Sequence, residues 1–485
     1  MYPAQTSLIP IQIALARFFE QGGDIFGNYP YWYLGTTPYR YLTGPILPTA
    51  LTALHKILPT LSLFDIFFLL LASCFILGAF GVYLLVKELS TSPVNTSVNT
   101  SEVLYRMHLG TTGTATFSAL FYLFGPLVPL LFRFSNGLSL ISFSVLPFIL
   151  LLYIRFLKNY SRREATFLGA GITFLLLLNI SIIPTLFIGM ATVFLTVTGW
   201  KQAEEKLKRS LLLIAYCLLL VTLWYTPGFW LARLGVPSLA GRNLIQVLFD
   251  LGKLLPTALA ITAAFISVKL FKKRDLLRDF CFYWLFIFGF LTLMRFISDP
   301  DFWLDWSSYN LELQMGLAIA MGLIVKSLKL KVQSFGILTL YTLLFALITN
   351  TYVVGTLKKD ISQTVEYRIG EKLAEVTSPG EKVLLSGTTA FWLNAFFDIS
   401  QVRGGVDQAS VDPNWRKAVW EIREGKNAED AERWLRTLNV SYLVVHTKDS
   451  KEYYHDFIYP EKFEKVIGLE KIYDERGDHV YQILP

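Results

Sequence analysis

The chain has 485 residues, of which 53% are hydrophobic, 15% aromatic and only 17% charged, with a mean hydropathy of +0.46 and a formal net charge of +7. That balance excludes a string of ordinary soluble domains and points to a membrane protein. The surplus Lys and Arg gather between apolar runs, where they orient a membrane protein, so the positive charge does not imply a nucleic-acid partner.

Residues 1–62 come first and end in "GNYPYWYLGTTPYRYLTGP" (27–45), too rich in Pro and Gly for a helix and too aromatic for a solvated loop. Tyr29, Tyr31, Trp32, Tyr33, Tyr39 and Tyr41 suit the headgroup region, where an apolar ring and a polar tip are both satisfied. They read either as belt anchors or as the rim of a cavity for sugars or isoprenoid chains. Arg40 among them suits either a lipid phosphate or the phosphate of a bound substrate. "YLTGPILPTALTALHKILP" (41–59) is short and interrupted by Pro45 and Pro48, which predicts an interfacial or re-entrant helix rather than a span.

About ten helical spans follow, near 63–86, 113–132, 138–154, 164–179, 182–199, 210–226, 254–271, 279–296, 312–328 and 334–353, each close to the ~20 residues that a bilayer requires. The fourth and fifth form one apolar run broken at Asn179, Ser181 and Pro184, which predicts a tight hairpin, because one helix of that length would overshoot the bilayer. Cys74, Cys217 and Cys281 lie in these runs without metal-ligand spacing and read as small buried hydrophobes. Lys and Arg concentrate in one set of loops (Lys87 and Arg106; 155–163; 201–209; 269–278; 326–331), and only Arg133, Arg233, Arg242, Lys253 and Arg295 fall in the other. The first set is therefore expected in the cytoplasm and both termini outside it.

Three segments then share the outer face: 1–62, about 227–253, and about 297–311. The last holds Asp299, Asp301 and Asp305 among Phe302, Trp303 and Trp306, which reads as a solvated acidic turn or as ligands for a divalent cation (Mg or Mn) against a phosphate. Arg233, Arg242 and Arg295 are the complementary cations, matched to an anionic headgroup.

After Tyr352 the pattern turns polar and alternating. "EKVLLSG" (381–387) and "VSYLVVH" (440–446) read as buried strands, "DAERWLRTL" (430–438) as an amphipathic helix, and 470–484 as a hairpin turning at Arg476 and Gly477. Between them lies "GTTAFWLNAFFDISQVRGGVDQ" (387–408), whose Arg403, Asp407 and Gln408 are positioned to reach a ligand beside the pliant Gly404 and Gly405. His446 and His455, near Tyr453, Tyr454 and Asp456, read as packing or surface residues, and no dinucleotide, P-loop, nucleophile-elbow or zinc-protease motif is present. The domains are thus 1–62, an outer loop with interfacial helices; 63–353, a polytopic membrane domain; and 354–485, an extracytoplasmic α/β domain.

"GNYPYWYLGTTPYRYLTGPILPTALTAL", "TTAFWLNAFFDISQVRGGVDQ" and "YLVVHTKDSKEYYHDF" resemble bacterial integral membrane proteins related to 6-pyruvoyl-tetrahydropterin synthase, a family similar to the GT-C glycosyltransferase superfamily. No trio of zinc-binding histidines supports the synthase part of that description in a chain with five His. The resemblance implies a mainly α, GT-C-like fold in a bacterial plasma membrane. It also implies sugar transfer from a polyprenyl-phosphate donor, with membrane lipid as the other partner and no nucleic acid. Such enzymes place an acidic residue in the first outer loop after a first helix. "MYPAQTSLIP" is expected to begin inside that loop, downstream of the first helix, which leaves Glu20 and Asp24 as the acids before the aromatic stretch. The implied roles are base or metal ligand for Asp24 or Glu20, and donor-phosphate binding for Arg40 and Arg242. A non-catalytic envelope-assembly or lipid-binding protein of the same fold is the alternative. A coupled transporter fits less well, because the spans hold almost no ionisable groups.

Overall fold

The structure, a computed structural model, describes residues 8–35, 37–38, 43–91, 101–125, 127–128, 137–235, 275–297, 309–327, 360–405, 410 and 414–485. Its helices run, in chain order, α1 Pro10–Glu20, α2 Ile46–Ile57, α3 Leu63–Ser90, α4 Ser101–Phe124, α5 Gly137–Asn159, α6 Arg162–Leu178, α7 Ile183–Val197 and α8 Ala203–Val221. They continue as α9 Pro227–Gly235, α10 Leu276–Ile297, α11 Asn310–Ser327, α12 Val365–Val376, α13 Gly387–Phe396, α14 Trp415–Arg423 and α15 Ala428–Thr437. The strands are β1 Asn28–Tyr29, β2 Thr37–Pro38, β3 Lys382–Leu384, β4 Ser400–Gln401, β5 Tyr442–His446, β6 Leu469–Glu475 and β7 Asp478–Ile483. The chain divides into two units, one of Met1–Phe67, Tyr225–Leu244 and Lys358–Pro485, the other of Phe68–Trp224 and Ile245–Leu357.

The second unit is helical. Among the described residues three segments are long and apolar enough to cross a membrane: Leu63–Ser90, Gly137–Asn159 and Ile180–Val197. The 28 residues of α3 extend about 42 Å at ~1.5 Å per residue, more than a hydrocarbon core requires. Other expected spans coincide with α4, α6, α8, α10 and α11, whereas 254–271 and 334–353 lie outside the described residues. α4 begins at Ser101 rather than near 113, because the polar first half, "SEVLYRMHLGTT", is helical but carries no hydropathy signal. The break expected near Asn179 is present: its side chain accepts from Ser181 N at 3.0 Å, a single 3₁₀ turn follows, and Pro184 enters in the first turn of α7, where no N–H is needed. Both α6 and α7 pack on α5. α4 and α11 approach closely at Gly322, where an added Cβ would lie 2.2 Å from Ser118 Oγ. Small residues at such a crossing admit the close backbone packing on which membrane helices depend.

Several polar groups inside this unit are paired across helices. Asn179 Nδ2 donates to Ser142 Oγ at 3.0 Å, Tyr153 OH to Ser210 Oγ at 3.0 Å, and Gln314 Nε2 to the Phe121 carbonyl at 2.9 Å. Glu312 is the one buried carboxylate among the described residues of the unit, and its Oε1 accepts from Thr185 Oγ1 at 2.6 Å.

The first unit is a five-stranded sheet in the order β4-β3-β5-β7-β6, flanked by helices. β4, β3 and β5 are parallel, and β7 runs antiparallel between β5 and β6. The expected strands, the helix near 430–438 and the hairpin at Arg476–Gly477 are all present, the turn residues having φ of 53° and 80° as a two-residue hairpin demands. Ile369, Leu373, Val383, Leu385, Leu393, Val444 and Val480 fill the core.

The N-terminal segment is part of this unit. α1 starts on Pro10, buries Ile11, Ile13, Leu15 and Ala16, and packs against α13 and α2. α2 begins after Pro45, is 12 residues long, and buries Leu47 and Leu51 while Ile57 and Leu58 stay exposed. The Gln401 amide donates to the Tyr31 carbonyl at 2.8 Å, and Arg17 meets both Asp398 oxygens at 3.1 Å.

These contacts bury part of the aromatic stretch. Tyr29, Trp32 and Tyr33 are buried within the protein, and Tyr31 is half-buried. Trp32 lies over Gly404, where a Cβ would come within 2.6 Å of the indole, and Tyr33 meets Trp415 edge-on at 5.2 Å. Tyr33, Leu34 and Gly35 all have positive φ, which turns the chain sharply enough to seat both rings.

Candidate functional site

In sheets with parallel strands, ligands bind beyond the carboxyl ends of those strands. Here that edge carries a dense polar constellation: Ser386 after β3, Arg403 after β4, and His446 at the end of β5. Two further side chains reach it from the 447–459 loop, Glu452 and Asp456.

Asp456 Oδ2 accepts from Arg403 Nη1 at 2.9 Å, from Arg423 Nη1 at 2.7 Å and from Ser386 Oγ. Both guanidiniums also touch Ser386, and Arg423 Nη2 donates to Glu424 at 3.0 Å. Arg403 and Arg423 are buried, and the Nε of each has no partner among the described residues. Burial and the neighbouring Arg403 guanidinium lower the Arg423 pKa. Burial works to raise the Asp456 pKa, yet the two guanidiniums and the Ser386 hydroxyl outweigh it and hold the carboxyl below its usual range.

Glu452 occupies the start of α13. Its carboxylate accepts from the Thr388 amide at 2.8 Å, the Thr389 amide at 3.0 Å and both threonine hydroxyls. Exposed amides and the helix dipole make that position attractive to any anion. Gly387 makes room for it: its φ is +75°, and an added Cβ would lie 2.6 Å from Glu452 Oε1.

Behind this lies a buried layer. His446 Nδ1 is 2.9 Å from Asp478 Oδ1, Ser450 Oγ donates to the same carboxylate, and Arg368 reaches its other oxygen at 3.3 Å. Glu366 Oε1 accepts from Thr388 Oγ1 at 2.7 Å. Glu366 Oε2 and His446 Nε2 are both buried without a partner among the described residues. Burial raises the Glu366 pKa, the nearby Glu452 carboxylate adds to the rise, and the Thr388 hydrogen bond opposes it.

Of the residues singled out in sequence, Arg403 is therefore central. Asp407 and Gln408 lie outside the described residues, as do Arg40, Tyr39, Arg242, Asp299, Asp301 and Asp305; Arg295 falls in the last turn of α10, and its side chain lies outside them too. Glu20 is joined to His55 Nδ1 at 2.5 Å, while Asp24 Oδ1 accepts from the Phe26 amide at 2.9 Å and closes its own turn. The structure thus gives the two acids separate local partners. No group of three or more His, Cys, Asp or Glu able to hold a metal occurs among the described residues. Sequence reasoning missed Ser386, Arg423, Glu452 and Glu366. Arg423 and Asp456 stand 33 residues apart and carry no shared local pattern.

No family model matches the chain, and no curated protein matches it in sequence. Among solved structures it is similar to the oligosaccharyltransferase of Archaeoglobus fulgidus, crystallised as a complex with Zn and sulfate. The TM-score is 0.50 at 13% identity, over 91% of this chain and 64% of that one. The chain thus spans less than two thirds of that protein's length. At this identity the likeness is one of fold, and it supports the GT-C-like resemblance. The narrower resemblance to 6-pyruvoyl-tetrahydropterin synthase-related proteins has no family match behind it.

Proposed function

We propose that the protein is a membrane glycosyltransferase of GT-C type, moving a sugar from a polyprenyl-phosphate donor to an envelope acceptor on the outer face of a bacterial plasma membrane. The observation that carries this reading is the fold likeness to an oligosaccharyltransferase across 91% of the chain, together with helices able to cross a bilayer. The loop charges put both chain ends outside the cytoplasm in this reading, and their membership of one unit is consistent with a common side. In this reading Asp24 or Glu20 takes the acceptor proton, and Arg40, Arg242 and Arg295 hold the donor phosphate. Asp299, Asp301 and Asp305 supply a second acidic element, with Mg or Mn as the cation; the similar oligosaccharyltransferase was solved with Zn.

The test is transfer from a radiolabelled polyprenyl-phosphate sugar, comparing the parent with Asp24→Asn, Glu20→Gln and Arg40→Ala. Loss of a general base is expected to lower the rate by about 10²–10⁴-fold in one of the two acid variants. Equal rates in all four proteins remove these assignments. A non-catalytic protein of the same fold is the second reading. It is favoured by the local engagement of Glu20 by His55 and of Asp24 by its own turn.

A further inference from the structure

The carboxyl edge of the parallel strands offers two positions built for anions, and a single loop fills both. At the first, two amides and two hydroxyls of Thr388 and Thr389 surround the Glu452 carboxylate. At the second, Arg403, Arg423 and Ser386 converge on one oxygen of Asp456. Ser386 and Thr388 are two residues apart on the turn that opens α13, so the two positions are neighbours. Glu452 and Asp456 are four residues apart on the 447–459 loop.

Each donor set is one that takes phosphate oxygens. A helix N-terminus presents amides and a positive dipole end to an anion. A guanidinium pair offers planar forks, which a single carboxylate oxygen leaves partly unused. That surplus is visible in Arg403 Nε and Arg423 Nε, both buried without a partner among the described residues. Charge points the same way: among the described residues, withdrawing Asp456 leaves two buried cations with the half-exposed Glu424 as their remaining ion-pair partner.

We propose that this edge binds a diphosphate group, and that the 447–459 loop is an internal mimic of it, holding the site closed with Glu452 and Asp456 until ligand displaces them. One phosphate takes the α13 N-terminus and the other takes the arginine pair. Within the loop Tyr453 and Ile458 are 59% and 55% exposed, while Phe457 is buried against Phe463 and stays as the anchor on which the segment carrying Glu452 and Asp456 turns outward. The proposal does not rest on sugar transfer: binding is read without turnover, so either reading can fail while the other stands.

The experiment uses the full chain in detergent micelles. Inorganic pyrophosphate and an isoprenyl diphosphate are titrated calorimetrically, and hydrogen exchange is followed with and without each. Ligand is expected to speed exchange in 447–459 of the unmodified protein while slowing it at the start of α13. Asp456→Asn weakens the internal competitor and is expected to tighten binding roughly tenfold, in line with one charged hydrogen bond. Adding Arg403→Gln is expected to abolish that gain. Binding of pyrophosphate supports a soluble ligand, and binding of the isoprenyl form alone supports a lipid-borne one. Absence of binding by both, or bound diphosphate with unchanged exchange in 447–459, overturns the proposal even where the variants fail to fold.

Discussion

Glu366 concentrates the electrostatic cost of the α/β unit in one side chain. It is 2% exposed, its Oε2 has no partner among the described residues, and burial raises its pKa above the ordinary 4.5. A carboxyl whose folded pKa lies above its unfolded one binds its proton more tightly when folded. Its contribution to stability is therefore full below about pH 4.5 and is lost as pH rises through the raised folded value. Glu366→Gln removes the charge and retains the acceptor that Thr388 uses. The variant's melting temperature, relative to the parent, is expected to rise as pH climbs above the ordinary 4.5 and through the raised folded value. A difference that stays constant with pH contradicts the assignment. Asp456 has the opposite sign, with a depressed pKa that supports the fold above the unfolded value and is lost as pH falls through the folded one, so the two are separable in a single titration.

At the scale of elements, the aromatic stretch matters most. Trp32 is fully buried against Gly404, and Tyr33 is buried against Trp415. Trp32→Ala is expected to cost about 3–5 kcal/mol by opening a cavity where the N-terminal segment meets the sheet. Arg17→Ala, by contrast, breaks an ion pair with Asp398 whose side chains are 28% and 34% exposed, and about 0.2–1 kcal/mol is expected. Denaturant unfolding followed by tryptophan fluorescence compares the two, and an equal loss would mean that the ion pair, not the rings, holds the segment. This element also shows what a sequence can and cannot disclose. β3, β5 and the β6–β7 hairpin were legible because apolar runs and an Arg-Gly turn are local signals. β4 was not, being two residues inside a stretch that reads as a ligand loop. The burial of the rings was hidden for another reason: Tyr and Trp suit a headgroup layer and a protein interior equally, and only Gly404 and Trp415, nearly 400 residues away, decide between them. Likewise Arg403 announced itself beside two glycines, while its partners Asp456 and Arg423 come from separate elements and are joined only by folding.

Across the whole molecule, two units with different internal chemistry are threaded by one chain. One collects both ends around a sheet and places charge at the edge of its strands. The other is apolar and pairs several of its buried polar groups across helices, as a low-dielectric interior favours. Glu312 is the clearest instance, a buried acid held by Thr185 Oγ1 across 127 residues of sequence. Thr185→Val keeps the side-chain shape and deletes the donor, so a buried carboxylate oxygen loses its partner, at about 1–3 kcal/mol or more. Thr185→Ser retains the hydroxyl and is expected to stay near the parent. Stability in such a chain opens unit by unit rather than all at once. Hydrogen exchange resolved by peptide should then report Thr185→Val as faster exchange in α7 and α11. The effect of Trp32→Ala should fall instead on β4 and α14. If Trp32→Ala also accelerates exchange throughout α5, the division into two cooperative units is wrong and the apolar helices depend on the N-terminal segment for their stability.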